Sequence, residues 1–184
     1  MQAADLFRRA LRFAGLIGTR HMTMLPGIAW PGESESESFA RSARELTWRV
    51  AEARAAGITL SVEAHVGSIA PAPTDAAKLV AETPGLTLTL DLTHFVSQGF
   101  SQDDCLPLLS VSSHFHARGG APGKLQATAD ENTIDYVHVI QRMKNTGYSG
   151  YFEVEYEWNE WGGCNRADVL AETIQMRDLA LRSQ

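Results

Sequence analysis

Four short apolar runs in the chain each end on a side chain able to hold a metal ion. Residues 58–63 read I-T-L-S-V-E, 86–91 L-T-L-T-L-D, 111–116 V-S-S-H-F-H and 151–155 Y-F-E-V-E. Their last residues are Glu63, Asp91, His116 and Glu155, which together offer three carboxylates and one imidazole. Such oxygen and nitrogen donors suit a divalent cation. Each run is strand-length and rich in β-branched or aromatic residues. Alternation with period two sorts each run into two faces. Leu60, Val62, Leu86, Leu88, Leu90, Val111, Phe115, Phe152 and Val154 make one face apolar, so a helix layer must cover it. The opposite face carries Ser, Thr, Glu and His and ends on the four donors. That face is a site, not a core.

The elements that must position these donors follow in chain order. Residues 3–14 have helical apolar spacing, and Gly15 is placed to end that helix. Residues 16–25 read as a strand, closed by the Pro26-Gly27 turn. His21 in that strand either faces a pocket or is a hydrogen-bonded structural histidine, and the second is the simpler reading. The Ser/Glu repeat at 32–38 fits a solvated loop that caps a helix over 39–56, which Gly57 ends. Phosphorylation or an acidic interaction tag is the other reading of that repeat. A helix over 74–80 is capped by Thr74 and favoured by Asp75 at its start. After Asp91 come Thr93 and His94, then a short helix near 101–109. The Gly/Pro-rich loop at 118–124 matches no Walker pattern and is of a kind that often carries function. Helices over 133–144 and 166–181 flank the last strand. Trp158 and Trp161 either wall a sugar-sized pocket or pack on the closing helix. The order strand–helix repeats at about 25 to 40 residues per unit, which implies right-handed crossovers and a parallel sheet. Parallel strands bring Glu63, Asp91, His116 and Glu155 to one edge of that sheet. Any one strand-end acid is accounted for by capping; four at one edge, with His94 nearby, are not.

Composition narrows the class. A chain of 184 residues with 44% hydrophobic residues favours one domain, here taken as residues 1–184, with a sizeable core. The net charge of −6 argues against nucleic acid and anionic membrane as partners. Cys105 and Cys164 lack C-x-x-C spacing, so a disulfide framework or zinc knuckle is not expected and a reducing, cytoplasmic setting is. No apolar run approaches the ~18 residues of a membrane span, and the start is too polar for a signal peptide.

Four stretches together resemble the xylose isomerase-like TIM-barrel superfamily. They are V-E-A-H at Glu63, L-D-L-T-H at Asp91 and His94, H-F-H-A-R at His116 and Arg118, and G-Y-S-G-Y-F-E-V-E at Glu155. That group contains sugar isomerases, ketose 3-epimerases, dehydratases and endonuclease IV-type repair enzymes. The resemblance runs from about Leu16 onward. It implies a (β/α)8 TIM-barrel fold of the α/β class, here an incomplete barrel of about five parallel strands with outer helices. A full barrel takes about 250 residues, so the first three strands are expected to be missing. The resemblance further implies one divalent ion held by Glu63, Asp91, His116 and Glu155. His94 would touch substrate oxygens beside the ion, and Arg118 would position the ligand.

Three carboxylates and one imidazole favour Mn²⁺, with Mg²⁺, Co²⁺ or Zn²⁺ as alternatives. Such an ion polarises a ketose carbonyl, and the neighbouring C–H becomes acidic enough for a carboxylate to remove its proton. Glu63 and Glu155 form the expected acid/base pair of a sugar or polyol isomerase/epimerase. A metal-dependent dehydratase begins with the same step, and a non-catalytic or partner-dependent barrel fragment is the third reading. Glu153 is the fallback for the last ligand and otherwise an acid paired with a basic residue. His114 is expected to support the site by hydrogen bonding. His65 and His138 carry no sequence signal. The open sheet edges predict a homo-oligomer or a partner chain that completes the barrel.

Overall fold

A computed structural model of the chain describes residues 2–183. Five strands form one parallel sheet whose spatial order is the chain order: β1 (His21–Met24), β2 (Thr59–Glu63), β3 (Thr87–Asp91), β4 (Ser112–Ala117) and β5 (Tyr151–Val154). The sheet curls into part of a barrel, with helices on its outer side. These are α1 (Ala3–Ile17), α2 (Glu35–Ala55), α3 (Pro73–Glu82), the short α4 (Thr93–Val96) and α5 (Gln102–Cys105), α6 (Tyr136–Thr146) and α7 (Val169–Arg182). Two 3-10 segments, Leu106–Val111 and Trp161–Arg166, complete the set. Among the described residues no helix is long and apolar enough to cross a membrane, and Cys105 and Cys164 are buried free thiols.

The alternation expected of the strands sorts them as foreseen. Leu60, Val62, Leu88, Leu90 and Phe115 are almost fully buried against Leu46 and Val50 of α2, Leu79 of α3 and Val139 of α6. Each such side chain contributes about 1.5–3 kcal/mol by leaving water. The inner face is a hydroxyl lattice: Ser61 Oγ lies 2.6 Å from Thr89 Oγ1, which lies 2.8 Å from Thr23 Oγ1. Thr87 Oγ1 and Ser113 Oγ are 2.6 Å apart, and His21 Nε2 reaches Ser113 Oγ at 2.9 Å. His21 is therefore the hydrogen-bonded structural histidine. Burial, and then the nearby His114 and His116, push its pKa down to about 4, so the ring stays neutral.

Several boundaries differ from the sequence expectation, each for a local reason. Residues 16–20 are not strand: α1 runs through Gly15 to Ile17, and the strand begins only at His21. The stop is Gly18, whose φ of 75° is the left-handed turn that closes a helix, its N–H bonding to Ala14 and Gly15 carbonyls. α2 starts at Glu35 rather than 39, because Ser34 caps it. The Ser34 N–H donates to Glu37 Oε2 at 2.9 Å and the Glu37 N–H donates to Ser34 Oγ at 3.3 Å. Half of the Ser/Glu repeat is thus helical first turn. α3 starts at Pro73, not Thr74, with Asp75 accepting from the Ala72 N–H at 3.3 Å. The Asp135 and Asp168 side chains cap α6 and α7, so these helices begin at Tyr136 and Val169. The helix expected near 101–109 divides into α5 and a 3-10 segment at Leu106, just before Pro107.

Candidate metal centre

β2 and β3 end on Glu63 and Asp91, His116 is the penultimate residue of β4, and Glu155 lies one residue past β5. The Glu155 N–H still donates to the Ala117 carbonyl at 3.0 Å, which extends the ladder to it. Parallel register then sets the donors side by side, Asp91 opposite His116 and His116 opposite Glu153. His116 Nδ1 lies 3.1 Å from Glu63 Oε1 and 2.9 Å from Glu155 Oε2. Glu63, His116 and Glu155 present donor atoms that all fall within 4.8 Å of one another. Asp91 belongs to a second, overlapping group with Glu63 and His94. His94, on α4, holds Nε2 3.6 Å from Glu63 Oε1 and 3.7 Å from Asp91 Oδ2.

Asp91 is divided between two tasks. Its Oδ1 accepts from the Thr93 N–H at 2.8 Å and the Thr93 hydroxyl at 2.7 Å, which starts α4 and so places His94. Its Oδ2 faces the site, 2.8 Å from Arg118 Nη2. Arg118 is only 2% exposed. Its Nε donates to Thr93 Oγ1 at 3.2 Å and its Nη2 donates to His94 Nε2 at 3.3 Å. The Tyr136 hydroxyl donates to the Arg118 carbonyl, which fixes the backbone. Gly119 and Gly120 follow because nothing larger fits. A Cβ at Gly119 would meet the Ala127 carbonyl oxygen at 2.3 Å, and one at Gly120 would meet Thr93 Cγ2 at 2.7 Å.

The residues fit a bound cation. Asp91 Oδ2 and Glu155 Oε2 are buried and make no well-aligned hydrogen bond, meeting only the cationic partners Arg118 Nη2 at 2.8 Å and His116 Nδ1 at 2.9 Å; buried carboxylate oxygens need such a positive charge beside them. Without an ion, that balance comes from Arg118 and His116. Burial opposes a charge on His116, but its pairing with the Glu155 and Glu63 carboxylates prevails and raises its pKa to about 10. Burial likewise opposes the charge on Glu63, but the hydrogen bond with His116 and the neighbouring His94 ring hold it well below the usual carboxylate range.

These shifts predict a pH dependence. The folded pKa of His116 lies above its ordinary value of about 6.5. Its stabilisation of the ion-free protein is therefore complete below about pH 6.5 and lost as pH rises toward 10. The Glu63 contribution runs the other way, present above about pH 4.5 and lost on acidification. An ion must displace the His116 proton, so its stabilising effect should grow over pH 7–10. Thermal unfolding with chelator and with Mn²⁺ at pH 6, 8 and 10 checks both slopes. A chelated protein equally stable at all three values contradicts the first.

A cavity of about 150 Å³ opens beside these groups, lined by Leu25, Glu63, His65, His94, Arg118, Glu155, Glu157 and Trp161. Trp161 thus walls the site, its ring 6.1 Å from that of His94, whereas Trp158 is 73% exposed and lines nothing there. His65, which showed no sequence signal, lies with its ring 5.6 Å from His94. The available clue was its place two residues beyond Glu63. Glu157 Oε2 stands 3.6 Å from Arg118 Nη1. Glu153 is half-exposed and pairs with His114, whose Nε2 is 2.7 Å from Glu153 Oε2. His114 supports Glu153 rather than the Glu63 cluster.

The chain matches the family of xylose isomerase-like TIM barrels over residues 1–179. The match takes in α1, ahead of the motifs that carried the resemblance. No curated protein is significantly similar to it in sequence. Among solved structures it is similar to an AP endonuclease, family 2, from Brucella melitensis, at 18% identity and a TM-score of 0.75, over 95% of this chain and 67% of that one. It is similar to a xylose isomerase-like TIM-barrel protein from Mycobacterium smegmatis in complex with magnesium, at 16% and 0.73, over 96% and 65%. It is also similar to 3-keto-D-glucoside 4-epimerase from E. coli, at 13% and 0.73, over 95% and 69%. The chain spans about two thirds of the length of each.

Proposed function

Because this chain belongs to the family of xylose isomerase-like TIM barrels, we propose that it is a divalent-metal-dependent sugar or polyol isomerase/epimerase that moves a proton beside a carbonyl. The observation that carries this reading is the convergence of Glu63, His116 and Glu155, overlapped by Glu63, Asp91 and His94, with the buried Asp91 Oδ2 and Glu155 Oε2 held only by ion pairs. The magnesium-bound protein and the epimerase of similar fold support it. Glu63, Asp91, His116 and Glu155 would hold the ion, with Mn²⁺ the best match to this donor set and Mg²⁺, Co²⁺ or Zn²⁺ as alternatives. When bound, the ion supplies Lewis-acid polarisation of the substrate carbonyl.

The remaining chemistry belongs to the side chains. Glu63 and Glu155 reach the cavity from β2 and from beyond β5, three strands apart. One takes the proton from the carbon next to the carbonyl and the other returns it, which inverts that carbon when the two act from opposite sides. Arg118 is held by Thr93 and Asp91 and keeps a fixed positive charge beside the developing oxyanion. His94 orients substrate oxygens, and Trp161 and Leu25 wall the cavity.

Metal analysis after dialysis tests the ion site. His116→Ala and Asp91→Asn should each lose most of the bound ion, and equal content in all three proteins defeats the reading. A panel of ketoses, inososes and dehydroshikimate with Mn²⁺ in deuterated water then identifies the reaction. Deuterium at the carbon next to the carbonyl marks proton transfer, and loss of water assigns the same residues to a dehydratase.

A further inference from the structure

Two further donors, His114 and Glu153, lie below the candidate centre on the same inner face and share His116 with it. β4 carries His114 and His116 two residues apart, and the register sets Glu153 of β5 opposite His116. His114 Nε2 is 2.7 Å from Glu153 Oε2, and His116 Nε2 is 3.6 Å from the same oxygen. The three donor atoms all lie within 4.8 Å of one another. We propose that His114 Nε2, His116 Nε2 and Glu153 Oε2 form a second divalent-cation site, selective for zinc-class ions.

The donor chemistry differs from that of the first centre. Three carboxylates and one imidazole suit a hard ion, whereas two imidazoles and one carboxylate suit Zn²⁺, with a further position left for water. Ligands bound about 2.0–2.2 Å from one tetrahedral ion stand about 3.3–3.6 Å apart. The observed 2.7 and 3.6 Å need only a small adjustment to reach that spacing. A hydrogen bond accounts for the His114–Glu153 pair, but not for His116 Nε2. At 3.6 Å that nitrogen is beyond hydrogen-bonding range of the oxygen it faces. The imidazoles are also held in place. The His21 ring stacks on His114 with centroids 4.9 Å apart and planes 26° apart, and His116 is only 7% exposed. The Glu153 side chain is 52% exposed, which leaves the site open to solvent and to an incoming ion. The His116 ring borders both centres, with Nδ1 toward Glu63 and Glu155 and Nε2 toward Glu153; with both ions bound it bridges them as an imidazolate, its second ring proton released to solvent.

Zinc titration of the full chain, read by metal content after gel filtration and by the visible spectrum with Co²⁺, tests the site. Wild type should bind two ions. His114→Ala and Glu153→Gln should each lose one of them, weakening that site on the order of 10- to 100-fold or more. The half-exposed Glu153 makes its isosteric change tolerable even if His114→Ala folds poorly. The double variant Glu63→Gln, Asp91→Asn should keep the second ion and lose the first. A wild type that binds one ion, lost in Glu153→Gln but kept in the double variant, leaves this site standing and removes the proposed catalytic centre. Single-ion binding unaffected by His114→Ala and Glu153→Gln overturns the site. So does loss of all zinc in every variant, which would mean one centre shared by both sets.

Discussion

Glu155→Gln is expected to lower turnover by about 10²- to 10⁴-fold, the usual worth of a positioned proton-transfer group. The change keeps the shape and one oxygen of the side chain, and a saturating concentration of Mn²⁺ offsets its weaker hold on the ion, so some substrate affinity should remain. The loss should therefore fall on kcat far more than on KM, as for a group that acts mainly in the transition state. Exchange of solvent deuterium into substrate should fall in parallel. Wild-type product free of deuterium points instead to a hydride shift and removes Glu63 and Glu155 from proton transfer. An unchanged kcat in the variant removes Glu155 alone.

The second large effect concerns association. Among the described residues neither rim of the sheet has a further strand, since β1 pairs only with β2 and β5 only with β4. Apolar surface lies beside each rim. On α1, Leu6, Phe13 and Ile17 share one stripe at helical spacing and are 59%, 62% and 62% exposed. Beside β5 a groove of about 390 Å³ is lined by Ile140, Met143, Tyr148, Phe152, Val154 and Leu181. Unpaired strands flanked by apolar patches bind other chains unless covered. The chain alone is therefore expected to self-associate. Addition of about 90 residues, enough for three strand–helix units, should return a monomer. Light scattering on the two forms decides it, and a stable monomer of the chain alone would falsify the idea.

The placement of Glu63, Asp91, His116 and Glu155 at one edge was legible because period two and the ends of apolar runs are local properties, and parallel strand order carries them there. The start of β1 was not legible. Leu16 and Ile17 look like strand, and Gly15 looks like a helix stop, yet the left-handed turn falls at Gly18. The helix caps were misplaced, Ser34 as loop and Asp135 and Asp168 as helix interior, because a cap is visible only with the helix it closes. Within the site, the division of Asp91 between Thr93 and Arg118 depends on one short helix and one buried guanidinium. No spacing in the chain announces that arrangement. His65 was missed because it lies two residues past the end of β2, outside the strand run that sorts side chains by face.

The donors are unevenly distributed over the sheet. β1 contributes none, while Glu155 continues the β5 ladder at the opposite rim through its bond to Ala117. A rim strand with a half-covered outer face is where local opening begins. If β5 peels away, Glu155 leaves with it, and an ion bound to the intact set resists that motion by mass action. The metal would thus act as a clasp on one rim and leave the other loose, so ion supply would set which edge of the sheet frays first.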